Sequence, residues 1–324
     1  MKLIVRSILI AFLCLGAAIP HRTLAQGLTV DPATPEYVTT GQLSGTITSA
    51  GSDTMARIMY AWADAFQGYH RDVTVFSESK GSGTAPAALM DGSAQMGPMS
   101  RRMSAAEVEA FRKKFGYEPT EIKVALDALC VFVNKANPIG GLTMAQVRGI
   151  FAEVPGATEP PITNWGQLGL KGEWADRPIV IFGRNGSSGT HAFFGEAVLK
   201  KRAFRDSIHE RAGSGLVVKE VGWEPAAIGY AGVGFRSNTT KILPVGSSPA
   251  ELVEPTAENA LNGTYPLSRF LYIYVNKRPG RPLDHLTAEF LRFIASKEGQ
   301  EAVVDEGFFA LPATTCADQI AQLK

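Results

Sequence analysis

The chain has 324 residues, 45% of them hydrophobic, with 32 Lys and Arg against 31 Asp and Glu. So even a balance supplies no basic face for nucleic acid or an anionic membrane surface. The length suits one large or two medium domains.

Lys2 and Arg6 precede an apolar run from Ile8 to Ile19, and Thr23-Leu24-Ala25 offers small residues for cleavage after Ala25. Residues 1–25 therefore read as a secretory signal peptide. The apolar core falls short of the roughly 20 residues a spanning helix needs, so a retained anchor is the weaker reading. Leu13 stands where a lipoprotein signal would place a small residue before Cys14. Removal of 1–25 takes Lys2, Arg6 and Arg22 and no acidic residue, which leaves a slight acidic excess. A soluble exported protein is expected, periplasmic or otherwise secreted.

Residues 26–42 are rich in Thr, Pro and Gly and read as a flexible lead-in. The run "SGTITSAG" reads as a strand, and "DTMARIMYAWADAFQGYH" carries Met55, Ile58, Met59, Trp62 and Phe66 at helical spacing. "DVTVFSES" alternates as a strand, "KGSGTAPAALMDG" is a glycine turn opening a short helix, and "AQMGPMS" is a short strand ending at Ser100. Ser104 with Glu107, and Thr143 with Gln146, have capping-box spacing, and Gly116 follows the first of these helices as a C-cap. "EIKVALDALCVFVNK" and "YPLSRFLYIYVNK" are long extended runs suited to join two lobes. "RPIVIFGR" and "AIGYAGVGF" add strands, and "TAEFLRFIASKEGQEAVVDEG" reads as a helix interrupted near Gly299. Strands alternating with helices indicate an α/β fold with mostly parallel sheets. Of the cysteines left after processing, Cys316 could bridge Cys130 in an oxidising compartment. Cys130 also lies in an apolar run, where a free thiol behaves as a small hydrophobe. Both readings stand at this point.

Three turns share one construction: "AGSDTM" (Ala50–Met55), "KGSGTA" (Lys80–Ala85) and "GRNGSSGTH" (Gly183–His191). Each ends a strand, mixes glycine with Ser or Thr, and opens a helix. The first N–H groups of a helix lack intrahelical partners and carry partial positive charge, so such turns suit an anion. Arg184 adds a planar fork of donors matched to an oxyanion. One turn alone is better explained by ordinary N-capping; three together with an arginine favour a shared anion site. None of them has the Gly-Lys-Ser/Thr ending of a nucleotide-phosphate loop.

These residues, in order and spacing, resemble the periplasmic phosphate-binding proteins that serve Pst-type ABC importers. The resemblance runs from about Gly45 to Pro312 through "GSDTM", "FSESKGSGTAPAALMDGSAQMGPMSRRM", "VALDALCVFVNKANPI", "GRNGSSGTHAFF" and "AIGYAGVGF". It implies an α/β fold of the periplasmic binding protein-like type II class, a Venus flytrap with ligand clamped between two lobes. Lobe I would comprise 43–128 and 272–324, and lobe II 129–271. It implies a monomer that captures inorganic phosphate for the importer's membrane subunits, with no cofactor and no metal. Carried over residue by residue, the ligand contacts would be Thr54, Met55, Ser82, Ser100, Arg101, Arg184, Ser188, Gly189 and Thr190. Ser52, Asp53, Gly83 and Ser187 form a second rank.

Two departures bear on selectivity. Some relatives place an aspartate where Ser100 stands, to accept the proton of bound phosphate and so reject sulfate. Some also have an acidic residue two places after the ligating arginine, where this chain has Gly186. Asp53 is the nearest substitute acceptor, weighed against helix capping. Arg101 is expected to turn inward, since adjacent Arg102 must then face out. As alternatives, the chain could be an exported phosphatase or could bind sulfate. The nucleophile elbow Gly-x-Ser-x-Gly is not met at Ser187 or Ser188, and His191 reads as a packing residue before a base.

Overall fold

The computed structural model describes residues 29–154, 156 and 160–323, so the expected signal peptide lies outside the described residues. In chain order the strands are β1 (Ser44–Ala50), β2 (Asp72–Glu78), β3 (Met96–Met99), β4 (Thr120–Asn134), β5 (Leu142–Thr143), β6 (Val180–Arg184), β7 (His209–Arg211), β8 (Ala227–Gly232), β9 (Thr240–Leu243), β10 (Val245–Gly246), β11 (Leu252–Val253) and β12 (Ser268–Val275). A nine-stranded sheet runs β2-β1-β3-β12-β4-β8-β6-β7, with β9 also paired to β4, and β11-β10-β5 form a small second sheet.

Two parallel units sit at the ends of the large sheet. On one side β1 pairs in parallel with β2 and β3, and on the other β6 does so with β7 and β8. Between them β12 and β4 run antiparallel to each other and to their neighbours. The long strand β4 belongs to both units: Thr120–Ala128 pairs with β12, and Leu129–Asn134 with β8 and β9. Its second part is buried at every residue, which explains an unbroken apolar run where a half-exposed strand would alternate.

The apolar core is divided accordingly. One cluster joins Ile47, Met55, Trp62 and Phe66 to Ile122, Leu271, Phe290 and Phe293. A larger one gathers Val131, Phe132, Phe151, Trp165, Phe194 and Tyr230. Phe309, Leu311 and Cys316 of the C-terminal segment pack in the larger cluster, while Val303, Phe308 and Leu323 pack in the first.

The helices are α1 (Ala56–Tyr69), α2 (Ala85–Asp91), α3 (Ala105–Phe115), α4 (Met144–Phe151), α5 (Gly189–Ala197), α6 (Ser214–Trp223), α7 (Ala257–Leu261), α8 (His285–Ile294), α9 (Lys297–Asp305) and α10 (Ala313–Ala321). Both expected capping boxes form, on α3 and α4. The break expected near Gly299 falls at Ser296, whose hydroxyl accepts the Gly299 N–H and caps α9.

The expected flexible lead-in is tied down at Asp31, Pro35 and Tyr37. Lys297 N–H donates to the Pro35 carbonyl, Ala313 N–H to the Asp31 carboxylate, and the Tyr37 hydroxyl is buried between His70 and Glu289. Tethered termini of this kind lose the freedom that composition suggests. Cys130 and Cys316 are both free and buried, which decides against the bridge. No helix among the described residues is long and apolar enough to cross a membrane.

Candidate functional site

All three glycine turns meet where the lobes touch. The first turn enters α1 through a short 3-10 segment, Asp53–Met55, and the second enters α2 through Ser82–Thr84. The third leaves β6 at Arg184 and opens α5 at Gly189, with Ser188 as N-cap. Across the lobes, Thr54 Oγ1 lies 2.8 Å from Thr190 Oγ1. Ser100 N–H donates to Ser82 Oγ at 3.0 Å, and the two hydroxyls are 3.3 Å apart.

Gly189 closes this cluster from the opposite lobe. A Cβ there would stand 2.2 Å from Ser82 Oγ and 2.6 Å from Ser100 Oγ, so only glycine permits the approach. Its N–H belongs to the first turn of α5, whose donors have no intrahelical acceptor. Gly81, at φ 110°, plays the same part for the backbone, since a Cβ there would meet the Ser187 carbonyl at 2.5 Å. Thr54, Ser82, Ser100, Ser188 and Thr190 are all essentially inaccessible to solvent.

Arg184 is buried with them. Its Nε donates to the Arg211 carbonyl at 3.1 Å, Nη1 to Ser214 Oγ at 2.7 Å and Nη2 to the Ala212 carbonyl at 2.8 Å. Three acceptors of its own lobe thus fix the guanidinium plane. Asp53 reaches it from the other lobe, with Oδ2 at 2.7 Å from Nη2. The contact is a close ion pair without hydrogen-bond alignment, and both Asp53 oxygens are buried without a hydrogen-bond partner. Asp53 makes no capping hydrogen bond, so the competing capping role is not what the fold uses. Ser52 Oγ beside it is likewise buried and unpartnered.

Other expected contacts are committed elsewhere. Arg101 does not turn inward: it forms a two-pronged pair with Glu107, at 2.6 and 2.7 Å, and donates to the Arg102 carbonyl. Glu107 is the third residue of α3 and the partner of the Ser104 cap in its capping box, and its carboxylate at the helix start draws the guanidinium there. Ser188 Oγ accepts from the Thr190 and His191 N–H groups as the cap of α5. Met55 N–H lies 3.3 Å from the Ser52 carbonyl. Gly83 N–H donates to the Ser187 carbonyl, and Ser187 Oγ to the Lys80 carbonyl, so these two clasp the lobes together. His191 stacks on Phe204 at 4.1 Å, and burial holds its pKa below the usual imidazole value. Among the described residues no cluster of His, Cys, Asp and Glu could hold a metal ion.

Arg269 was not among the expected residues. It pairs with Asp127 inside the protein and donates from Nη2 to Thr190 Oγ1 at 3.0 Å. A signal existed: Asp127 and Arg269 are charges of opposite sign, the one the lone charge in "VALDALCVFV" and the other in "PLSRFLYIYV". Residues of that kind are rarely buried unless paired.

Two α/β lobes that close on a buried polar cleft, joined by shared strands, define the fold of the periplasmic binding proteins. The chain matches the PBP superfamily domain over residues 38–298. It is 46% identical over 296 residues to the phosphate-binding protein PstS of Pseudomonas aeruginosa, covering 91% of this chain and 92% of that one. It is 32% identical over 271 residues to protein SphX of Synechococcus elongatus, covering 82% and 78% of the two chains. Among solved structures, an ABC-type phosphate transport receptor from Vibrio cholerae aligns with TM-score 0.65 at 26% identity, over 82% of this chain and 100% of that one. The chain belongs to the PstS-type phosphate-binding proteins of this superfamily.

Proposed function

We propose that this protein is the extracytoplasmic receptor of an ABC importer, capturing inorganic phosphate in the cleft and presenting it to the importer's membrane subunits. The observation that carries the reading is the convergence of Thr54, Ser82, Ser100, Gly189 and Thr190 on one buried spot beside Arg184. Small hydroxyls and helix-start amides can each donate to an oxyanion, and a desolvated guanidinium supplies charge-assisted donors. The Pseudomonas aeruginosa relative and the Vibrio cholerae structure are both named for phosphate.

The lobes, 43–128 with 272–324 and 129–271, open about β4 and β12 to admit the anion, and binding shifts the population toward the closed arrangement. The protein acts as a monomer in the periplasm, without cofactor, metal or catalytic turnover. Isothermal titration with phosphate, arsenate and sulfate tests the reading, alongside incubation with a chromogenic phosphomonoester. Tight phosphate binding without ester hydrolysis is expected. Hydrolysis would make it a phosphatase, and a preference for sulfate would make it a receptor for the other oxyanion.

A further inference from the structure

Arg269 on β12 stands directly opposite Asp127 on β4, at the point where β4 leaves one lobe for the other. Its Nε and Nη2 donate to the same carboxylate oxygen, at 2.9 and 2.8 Å, while the other oxygen accepts Val233 N–H at 3.1 Å. The pair is buried, at 5% and 0% exposure, with the guanidinium 5.3 Å from the centre of the Phe193 ring. A register shift in the β4–β12 ladder lies two residues further on, between Leu271 and Tyr272.

The guanidinium is planar, and the edge shared by Nε and Nη2 is spent on Asp127. The bond from Nη2 to Thr190 Oγ1 therefore uses the edge that Nη2 shares with Nη1. Nη1 is buried without a hydrogen-bond partner. It thus presents an N–H beside the hydroxyl that bridges to Thr54. A continuous polar chain, Asp127–Arg269–Thr190–Thr54, runs from the crossing strands through one lobe to the other. Buried ion pairs add little stability over well-packed apolar residues of similar size, so what sets this one apart is its reach into the cleft.

We propose that Arg269 is a positioning residue for anion capture. Held by Asp127 at the crossing strands, it fixes the Thr190 hydroxyl for the ligand and couples closure of the lobes to binding. The inference rests on the phosphate-binding reading above.

The test compares phosphate affinity and release rate in the unaltered full-length mature protein, Arg269→Met, Arg269→Lys, Thr190→Val and the double variant Thr190→Val/Arg269→Met. A fifth variant, Asp127→Leu/Arg269→Met, removes both charges together, so that no carboxylate is left buried alone and folding is preserved. Loss of one partner of a buried polar pair corresponds to weakening on the order of 30-fold or more, expected in Arg269→Met and in the charge-free pair. The loss should appear as faster release, with partial recovery in Arg269→Lys. Thr190→Val should add little once Arg269 is gone, because both act through one linkage. A merely structural arginine would lower the ligand-free melting midpoint and leave release unchanged. If the unaltered protein binds phosphate and the charge-free pair binds within about threefold of it, the inference falls while the function stands. If the unaltered protein does not bind phosphate, both fall.

Discussion

Small side chains meet in the cleft, and two larger ones, Arg184 and Asp53, face each other across it. Arg184 is held by three acceptors of its own lobe, so its orientation does not depend on the ligand. Arg184→Ala should weaken phosphate binding by about 2–5 kcal/mol, the range for truncating one partner of a buried charged contact. Titration calorimetry checks this, and binding within twofold of the parent would remove Arg184 from the site. Asp53 argues differently. Where some relatives carry an aspartate, this chain has Ser100, which can accept or donate and so does not discriminate by itself. The Asp53 oxygens are buried and, beside their ion pair with Arg184, have no hydrogen-bond partner, and a carboxylate can accept the proton that phosphate bears and sulfate lacks. Asp53→Asn replaces an acceptor by a mixed group, so phosphate preference over sulfate should shrink about tenfold, or ~1.4 kcal/mol. An unchanged ratio of affinities would dismiss Asp53 as the discriminator.

At the scale of elements, local chemistry was readable where it is self-contained. The capping boxes at Ser104 and Thr143 need only residues a turn away, and both form. The three glycine turns were legible for the same reason, and their meeting followed from each ending a strand of one sheet. Partners far apart in sequence were not legible. Arg101 was expected inward because alternation allows it, yet the Glu107 carboxylate it finds is set by the course of α3. Arg269 owes its place to a strand 142 positions earlier. The N-terminal segment is the clearest case, since its composition suggests freedom and its anchors lie at the end of α1 and on α8, α9 and α10. Tyr37 donates to Glu289 Oε1, so His70 Nε2 must carry the proton in its own bond to the Tyr37 oxygen. His70 Nδ1 is then left buried without a partner. Protonating it would place a second N–H where no acceptor exists, and burial accordingly lowers the His70 pKa below 6.5. The unfolded chain takes up that proton near 6.5 while the folded one resists. The stabilising contribution is therefore complete above this pH and is lost as pH falls through it toward the lower folded value. The melting midpoint should drop between about pH 7.5 and 5, and His70→Phe should flatten the fall. His191 is displaced in the same direction and contributes the remainder. An unaltered slope in His70→Phe would place the titration elsewhere.

For the molecule as a whole, the decisive feature is that two cores share two strands. Neither lobe is an independent bead, because β4 lends one part to each and the C-terminal segment returns to pack Cys316 into the larger core. Cys130 lies in the same core from the middle of β4. Both thiols are buried, and burial raises their pKa values, that of Cys316 to about 12. The thiolate is the reactive form, so neither should react with a thiol reagent while the fold is intact. Modification then reports opening of the larger core from two distant points of the chain. A ligand clamped between the lobes stabilises only the folded state, by RT ln(1 + [L]/Kd), or about 2.7 kcal/mol at a hundredfold excess over Kd. In the regime where opening is fast relative to labelling, that slows modification roughly a hundredfold. Both cysteines should be protected equally by phosphate if the cores open together. Protection of Cys130 with unprotected Cys316 would instead mean that α10 detaches by itself, and the C-terminal segment would then not belong to the cooperative unit that binds.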